Sequence, residues 1–306
     1  MGKIAFVFPG QGSQFVGMGK DFYDGYAEAR SIYEQAGTIL GFDLASVCFE
    51  GPEEALKQTR HTQPALYVHS YIVSKLLTDH RLSADMAAGH SLGELSAFCY
   101  AGAYSFEDGL NLVRQRAMIM TETAGKHPGS MAAVIGLDVE AVGILCEEAG
   151  TKGVVQPANF NSPGQVVISG SSEAVAEAMA LAREKGAKRV LELAVSGAFH
   201  SPLMAPAATE FAAAVSGISV QNPKIPVYAN VTAAPVRMGA DVSVLLTEQL
   251  THSVRWIETV EAMIHDGVTR FMEVGPGRVL TGLIKRISGD VEVFPCGTVD
   301  DLKKIL

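Results

Sequence analysis

The chain has 306 residues, of which 48% are hydrophobic and 19% charged, and its formal net charge is −9. This composition excludes a disordered chain, and the negative charge argues against nucleic-acid binding, which needs a concentrated basic face. The four cysteines form no CxxC pair, so they indicate neither a metal site nor a disulfide framework and fit a reducing compartment. With no signal-peptide pattern and no apolar run of membrane-spanning length, we expect a cytoplasmic protein without membrane contact.

Strands and helices are predicted to alternate in the first and last parts of the chain. A buried strand is predicted over residues 3–8 (KIAFVF) and a helix over 64–80. A further helix is predicted over 202–215, and the residues after it alternate between the strands IPVYANV, RFMEVGPG and VEVFPC and the helices WIETVEAMIHDG and RVLTGLIKRI. The alternation predicts an α/β fold with one parallel sheet covered by helices on both faces.

The segment between these parts predicts a compact subdomain of its own. Over residues 130–195 the patterns follow the order β-α-β-β-α-β, which is the ferredoxin-like unit. The ends of such a unit lie close together, so it can be inserted into a larger fold. We therefore predict a large catalytic subdomain from residues 1–126 and 197–306 and a small ferredoxin-like subdomain from residues 127–196.

The stretch GHSLG carries the GxSxG pattern where a short apolar run gives way to a helical pattern. This pattern predicts a nucleophile elbow, in which Gly89 and Gly93 remove side chains that would collide and leave the hydroxyl of Ser91 exposed. The helix begins after the serine, so the backbone N–H of Leu92 is free to donate to an oxyanion. The pattern also fits a plain N-capping serine, and the preceding ADMAA is a poor strand, so the motif alone leaves both interpretations open.

A serine nucleophile needs a base, and His200 is the histidine whose setting differs from the others. It directly precedes Ser201 and Pro202, a pair typical of an N-cap and a first turn, which predicts the imidazole at a helix entrance. A helix N-terminus disfavours imidazolium and so keeps the ring neutral, as a base must be. A surface turn is the alternative. His90 is interpreted as structural, because adjacent residues on an elbow point apart.

Arg116 is the third residue that the pattern singles out. On a helix over residues 110–120 it falls inside a broad apolar arc, whereas Arg114 falls near the polar edge. A guanidinium on an apolar face is unfavourable unless an anion meets it, and its planar fork suits a carboxylate. A structural salt bridge, or a side chain whose charged end reaches solvent, explains the position equally well.

These motifs lie in ordered blocks through which almost the whole chain resembles the malonyl-CoA:acyl carrier protein transacylases of fatty-acid synthesis. The acyltransferase domains of polyketide synthases are more distantly similar. The resemblance implies an α/β-hydrolase-like large subdomain with a ferredoxin-like insert, and a monomer. The blocks include FVFPGQGSQFVGMG, HTQPAL, GHSLGE, VRQRAMIM, ANFNSPGQVVISG, VSGAFHSPLM and FMEVGPGRVLTGLIKRI.

The resemblance also implies roles for the residues of the catalytic machinery. Ser91 matches the family's nucleophile and His200 its base. The backbone N–H groups of Gln11 and Leu92 match the oxyanion donors. Gln249 matches the residue whose main-chain carbonyl orients the histidine, in place of the carboxylate of the usual triad.

Substrate selection is implied in the same way. Arg116 matches the arginine that pairs with the free carboxylate of malonate, and Phe199 lies in an AFHS pattern that is similar to the malonyl-preferring version of the family. The chain departs from the family at Ser253, where proline is usual.

The implied reaction passes the malonyl group from malonyl-CoA to Ser91 and then to the phosphopantetheine thiol of an acyl carrier protein, with ping-pong kinetics and no metal or redox cofactor. Carrier proteins of this pathway are generally acidic, so we expect a local basic patch to bind them. The candidates for this patch are Lys185, Lys188 and Arg189, and separately Lys285 and Arg286.

Three other functions are compatible with the sequence. A trans-acting acyltransferase of a polyketide pathway would share every motif. A serine thioesterase or other hydrolase would share the elbow but has no need of Arg116. A non-catalytic assembly component that kept the fold would not form an acyl-serine.

Overall fold

The structure is a computed structural model, which describes residues 2–195 and 197–306. Its strands are β1 (Lys3–Phe8), β2 (Met86–Gly89), β3 (Ser130–Ile135), β4 (Val155–Ser162), β5 (Gln165–Gly170), β6 (Arg189–Glu192), β7 (Val227–Tyr228), β8 (Pro235–Val236), β9 (Val268–Glu273) and β10 (Glu292–Pro295). Its helices are α1 (Lys20–Gly25), α2 (Ala27–Leu40), α3 (Leu44–Phe49), α4 (Glu53–Leu56), α5 (Thr59–Asp79), α6 (Leu92–Tyr100), α7 (Phe106–Lys126), α8 (Val139–Ala149), α9 (Ser172–Glu184), α10 (Ala205–Ser216), α11 (Gly239–Glu248), α12 (Trp256–His265), α13 (Val279–Ile287) and α14 (Val299–Ile305). Short 3₁₀ helices span Gly150–Lys152 and Pro202–Met204.

The larger sheet has the strand order β10-β9-β1-β2-β7-β8. Its neighbouring strands run parallel in the described part of the chain, except that β8 runs antiparallel to β7 at one edge. Along β1, Phe6 and Phe8 pack in one hydrophobic cluster, whereas Ala5 and Val7 pack in another. A strand buried on both faces reads as a continuous apolar run. The predicted strand and parallel sheet are confirmed, and the antiparallel edge is an addition to the prediction.

Two local expectations for this sheet differ from the structure. ADMAA, interpreted as a poor strand, contains the first three residues of β2, which lies between β1 and β7. Its Ala87 and Ala88 are fully buried, and pairing on both sides outweighs their weak strand propensity. IPVYANV forms only the two residues of β7, because the chain turns after Tyr228 into a hairpin with β8.

The smaller sheet is antiparallel and has the order β4-β5-β3-β6. Helices α8 and α9 pack against it, around a core that includes Val134, Leu145 and Ile168. The predicted β-α-β-β-α-β unit is confirmed. Its strands lie between Ser130 and Glu192, inside the predicted small subdomain, whose boundaries stay a prediction.

Two helices begin at positions other than those predicted. The apolar pattern predicts a helix from Pro64, but α5 already begins at Thr59, in a polar stretch that carries no apolar periodicity. A proline near the N-terminus removes one hydrogen bond without ending the helix. The helix predicted from Pro202 starts with a single 3₁₀ turn, and α10 begins only at Ala205.

The fold places a cleft at the carboxyl ends of β1 and β2. Because these strands are parallel, the loops that follow them lie side by side, and the N–H of His90 donates to the carbonyl of Phe8 at 3.0 Å. The smaller sheet reaches the same cleft through β4, where Val254 bonds to Ala158 at 2.8 Å. Among the described helices, none combines the length and the apolar character needed to span a membrane.

Candidate active site

Ser91 lies on a sharp turn between β2 and α6, and its backbone has a left-handed φ of 51°. A Cβ at Gly89 would lie 1.9 Å from the carbonyl carbon of Gly93, and one at Gly93 would lie 1.9 Å from the carbonyl oxygen of Phe8. Both glycines are therefore required by close backbone contacts. The Ser91 side chain makes no capping hydrogen bond, so the nucleophile-elbow geometry is present and the N-capping alternative is not.

The hydroxyl of Ser91 contacts the imidazole of His200. Ser91 Oγ lies 2.8 Å from His200 Nε2. On the other side of the ring, Nδ1 lies 2.8 Å from the carbonyl oxygen of Gln249 and 3.2 Å from that of His252. Carbonyl oxygens only accept, so Nδ1 carries the proton and the lone pair of Nε2 faces the serine hydroxyl. The geometry matches the expected use of the Gln249 carbonyl and adds that of His252.

The reason for the neutral state of His200 differs from the prediction. Ser201 does not cap a helix, because its hydroxyl donates to the carbonyl of Ala198 at 2.6 Å. Burial, followed by the nearby charge of Arg116, lowers the pKa of His200 to about 3. His200 is 3% exposed, so the alternative interpretation as a surface turn residue is also wrong. Desolvation and a neighbouring cation, rather than a helix end, keep this base neutral.

Arg116 is buried beside the nucleophile, at 1% exposure. Its Nη2 lies 2.8 Å from Gln249 Oε1 and 3.3 Å from Ser91 Oγ, whereas its Nε has no hydrogen-bond partner within the described residues. Burial lowers the pKa of Arg116 to about 10, so the guanidinium stays charged at neutral pH. A buried cation with an unused donor provides a site for an anion next to the reacting hydroxyl. Arg114, by contrast, is half-buried and donates to the carbonyl of Ile39.

Gln11 and Leu92 line the same cavity as Ser91 and His200. Gln11 follows β1, Leu92 is the first residue of α6, and the backbone N–H of each lacks a hydrogen-bond partner in the described part of the chain. The N–H of Ser91 itself is occupied by Asn230 Oδ1 at 2.8 Å. These two N–H groups near the serine are therefore free to donate hydrogen bonds to an oxyanion.

The cavity over the serine is small, at about 100 Å³, and Met120, Met131 and Phe199 contribute apolar walls. Phe199 therefore forms part of the cavity wall beside Ser91. Larger openings adjoin it on two sides, with volumes of about 550 Å³ and about 400 Å³, and Gln11 lines both. The second of these openings also contains Arg286, one of the predicted basic residues.

Two residues of this region were missed by sequence reasoning. Asn230, after β7, accepts from the Ser91 N–H and donates to the carbonyl of Gly89 at 2.6 Å. Glu94, in the first turn of α6, accepts from the Asn230 N–H at 3.0 Å and from Gln249 Nε2. Burial raises the pKa of Glu94 to about 7, against the lowering effects of these hydrogen bonds and of the charge of Arg116. No local sequence signal marks either residue, because they meet only through the pairing of β2 with β7.

Ser253, the departure from the family pattern, anchors the loop that carries Gln249. Its hydroxyl donates to the carbonyl of Pro157 in β4 at 2.7 Å. From the same strand, Gln156 Nε2 donates to the carbonyl of His200 at 2.8 Å and to that of Thr251 at 3.2 Å. The backbone around the base is therefore bonded to the smaller sheet.

Comparison with known proteins agrees with this geometry. The family model described as "Acyl transferase domain" matches residues 5–300. The chain belongs to this acyl transferase family. It is 44% identical over 289 residues to a malonyl CoA-acyl carrier protein transacylase of Bacillus subtilis (strain 168), with 94% of this chain and 91% of the relative covered.

Solved structures of the family have the same fold. The malonyl-CoA:acyl carrier protein transacylase of Xanthomonas oryzae pv. oryzae matches with a TM-score of 0.96 and 42% identity, over 100% of this chain and 98% of that one. A malonyl-transacylase in complex with its type II PKS acyl-carrier protein matches with a TM-score of 0.96 and 40% identity, over 99% of each chain. The predicted fold class and family are confirmed.

Proposed function

We propose that this acyltransferase moves a malonyl group from malonyl-CoA to the phosphopantetheine thiol of an acyl carrier protein through an ester on Ser91. The observation that carries the proposal is the buried guanidinium of Arg116, 3.3 Å from Ser91 Oγ. The free carboxylate of a malonyl group can form an ion pair with this cation. An acyl group without a carboxylate leaves the cation without an ion-pair partner. The names of the relatives support the same substrate pair.

In the first step Ser91 Oγ attacks the thioester carbonyl while His200 Nε2 accepts the hydroxyl proton. The carbonyl of Gln249 holds the Nδ1 proton and stabilises the imidazolium. The N–H groups of Gln11 and Leu92 donate to the tetrahedral oxyanion, and loss of one such donor typically lowers kcat about 10²- to 10³-fold. The intermediate collapses to malonyl-serine, and the imidazolium returns its proton to the departing thiolate of coenzyme A.

In the second step the phosphopantetheine thiol of the carrier protein attacks the ester carbonyl. His200 takes the thiol proton and delivers it to Ser91 Oγ as the serine leaves. Neither step needs a metal or a redox cofactor, because no oxidation state changes, His200 moves the proton and backbone N–H groups stabilise the oxyanion.

The acceptor is expected to bind at a basic surface beside the site. Of the two predicted basic groups, Lys185 already pairs with Glu148 at 2.6 Å, whereas Arg286 lines an opening that also contains Gln11 and Arg278. We therefore favour the Lys285 and Arg286 side. Charge reversal there should raise the KM for carrier protein without changing loading by malonyl-CoA, and an effect confined to the other group would refute this choice.

We also propose that the enzyme acts in the cytoplasm as a monomer. All four cysteines are buried and free, which agrees with a reducing compartment. Gel filtration with light scattering tests the monomer, and fractionation of cells tests the location.

Mass spectrometry after brief incubation with malonyl-CoA tests the proposed function. We expect a malonyl adduct on Ser91 that holo carrier protein removes. Ser91→Ala should abolish the adduct, whereas Ser96→Ala, in the helix α6 that follows Ser91, should keep it. Absence of an adduct would support a non-catalytic component, and release of malonate to water as fast as transfer would support a hydrolase.

A polyketide carrier is the second candidate acceptor, because one matching structure is a complex with a type II PKS acyl-carrier protein. The ratio of kcat/KM for a fatty-acid carrier and a polyketide carrier decides between them. A higher value for the polyketide carrier would assign the enzyme to that pathway.

A further inference from the structure

Glu94 is a buried carboxylate beside the site that neither transfer step uses. It lies in the first turn of α6 and has 0% exposure. Its two oxygens accept from different parts of the fold, one from the Asn230 N–H at 3.0 Å and the other from Gln249 Nε2. A buried ionisable group is therefore separated from the guanidinium of Arg116 by the side chain of Gln249.

The side-chain amide of Gln249 connects these two groups. Its Oε1 accepts from Arg116 Nη2 at 2.8 Å, and its Nε2 donates to Glu94. An amide has one acceptor end and one donor end, so a cation on one side and a carboxylate on the other fix its orientation. Within the described residues no direct salt bridge joins Glu94 to Arg116.

The indirect connection has a consequence for substrate binding. A carboxylate paired bidentately with Arg116 would occupy the planar fork of the guanidinium. With the amide between them, Glu94 compensates the buried cation electrostatically, while Nε of Arg116 remains unpaired and Nη2 stays within 3.3 Å of Ser91 Oγ. The fork is therefore held in place before the substrate arrives.

We propose that Glu94 is a positioning residue for acyl-group selection, which holds Arg116 through the Gln249 amide so that the guanidinium donors meet the free carboxylate of the malonyl group. This inference rests on the proposed malonyl transfer. Glu94 touches neither the substrate nor the reacting atoms, so its effect should appear in the choice of acyl group rather than in the chemistry common to all acyl groups.

Glu94→Gln tests the inference, because it keeps the size of the side chain and removes its charge. Loading of Ser91 is measured at pH 8 with malonyl-CoA and with acetyl-CoA. We expect kcat/KM for malonyl-CoA to fall about tenfold, mainly through KM, while the value for acetyl-CoA changes less than about twofold. Glu94→Asp keeps the charge and should restore part of the malonyl preference.

Glu273→Gln is the matched control, because Glu273 is also fully buried and accepts from the backbone of Leu280 and Thr281, away from the serine. It should lower the melting temperature and leave the malonyl to acetyl ratio unchanged. Equal losses with both acyl-CoAs in Glu94→Gln would overturn the inference. If that variant does not fold, Glu94→Asp is measured in its place, and equal losses with both acyl-CoAs in Glu94→Asp overturn the inference. Wild-type enzyme that gains no malonyl group refutes the proposed function instead.

Discussion

Replacement of Arg116 by alanine separates recognition of the malonyl group from the chemistry of transfer. The wild-type guanidinium is 1% exposed and lies beside the nucleophile, so its ion pair with a substrate carboxylate would be almost fully desolvated. Truncating one partner of a buried, hydrogen-bonded charge pair costs about 2–5 kcal/mol. This corresponds to a fall of about 30- to 4,000-fold in kcat/KM for malonyl-CoA.

The same substitution should affect acetyl-CoA much less, because acetyl carries no carboxylate. Stability should also fall, since Gln249 Oε1 loses the donor that lies 2.8 Å away, and an unpaired buried acceptor costs about 1–3 kcal/mol. Arg116→Lys should fall between wild type and alanine, because lysine keeps the charge but not the planar fork.

The assay measures loading of Ser91 by each acyl-CoA under single-turnover conditions, with circular dichroism to confirm folding. Arg114→Ala is the matched control, because Arg114 lies on the same helix and donates to the carbonyl of Ile39. It should leave the malonyl to acetyl ratio unchanged. An equal fall with both substrates in Arg116→Ala would refute a carboxylate-binding role and assign the arginine to structure.

Three further predictions concern the base, the elbow and its glycines. Because the pKa of His200 is lowered to about 3, the ring stays neutral as the pH falls from 8 to 5.5, and kcat/KM for acetyl loading, which does not depend on the charge of Glu94, should show no acid limb near 6.5. Asn230→Ala removes the partner of the nucleophile's N–H and should lower kcat about tenfold or more with little change in KM, whereas the surface variant Asn111→Ala should not. Gly93→Ala places a Cβ 1.9 Å from a backbone carbonyl of β1 and should prevent folding or strongly lower Tm, whereas Gly125→Ala meets no atom within 4 Å and should be neutral or slightly stabilising.

Each of these expectations has a contrary outcome. An acid limb at about 6.5 that persists in Glu94→Gln would show that His200 titrates as an ordinary imidazole. A rise in KM alone for Asn230→Ala would place that residue in substrate binding. A Gly93→Ala enzyme with wild-type Tm would show that the close contact between β1 and α6 is absent.

Three residues of the candidate site could be singled out because each has a local signal: Ser91, His200 and Arg116. Two glycines flank Ser91 at fixed spacing, and the charge of Arg116 interrupts an apolar helix face. His200 was expected to be neutral because of a helix N-terminus, whereas burial and the charge of Arg116 keep it neutral. This burial depends on contacts between residues that are distant in the sequence. The roles of Gln11, Leu92 and Gln249 rest on the family resemblance and stay predictions.

The polar network behind the site could not be predicted from local patterns. Glu94 looks like an ordinary acidic residue in the first turn of a helix, and Asn230 looks like a turn residue after a short strand. They meet only because β7 pairs with β2, and pairing between strands so distant in sequence leaves no periodic signature. The strand β2 was expected to be poor for the same reason. Its alanines have a weak strand propensity, and they form a strand because β1 and β7 pair with it on both sides.

Because the backbone around His200 is hydrogen-bonded to β4, substitutions in the smaller sheet can affect the reaction. The serine belongs to a turn of one sheet, while the backbone on which the imidazole rests is fastened to the other by Gln156 and Ser253. A change in twist or packing within the smaller sheet would therefore alter the 2.8 Å gap between oxygen and nitrogen. Substitutions in the smaller sheet can therefore change kcat even when every residue of the site stays the same.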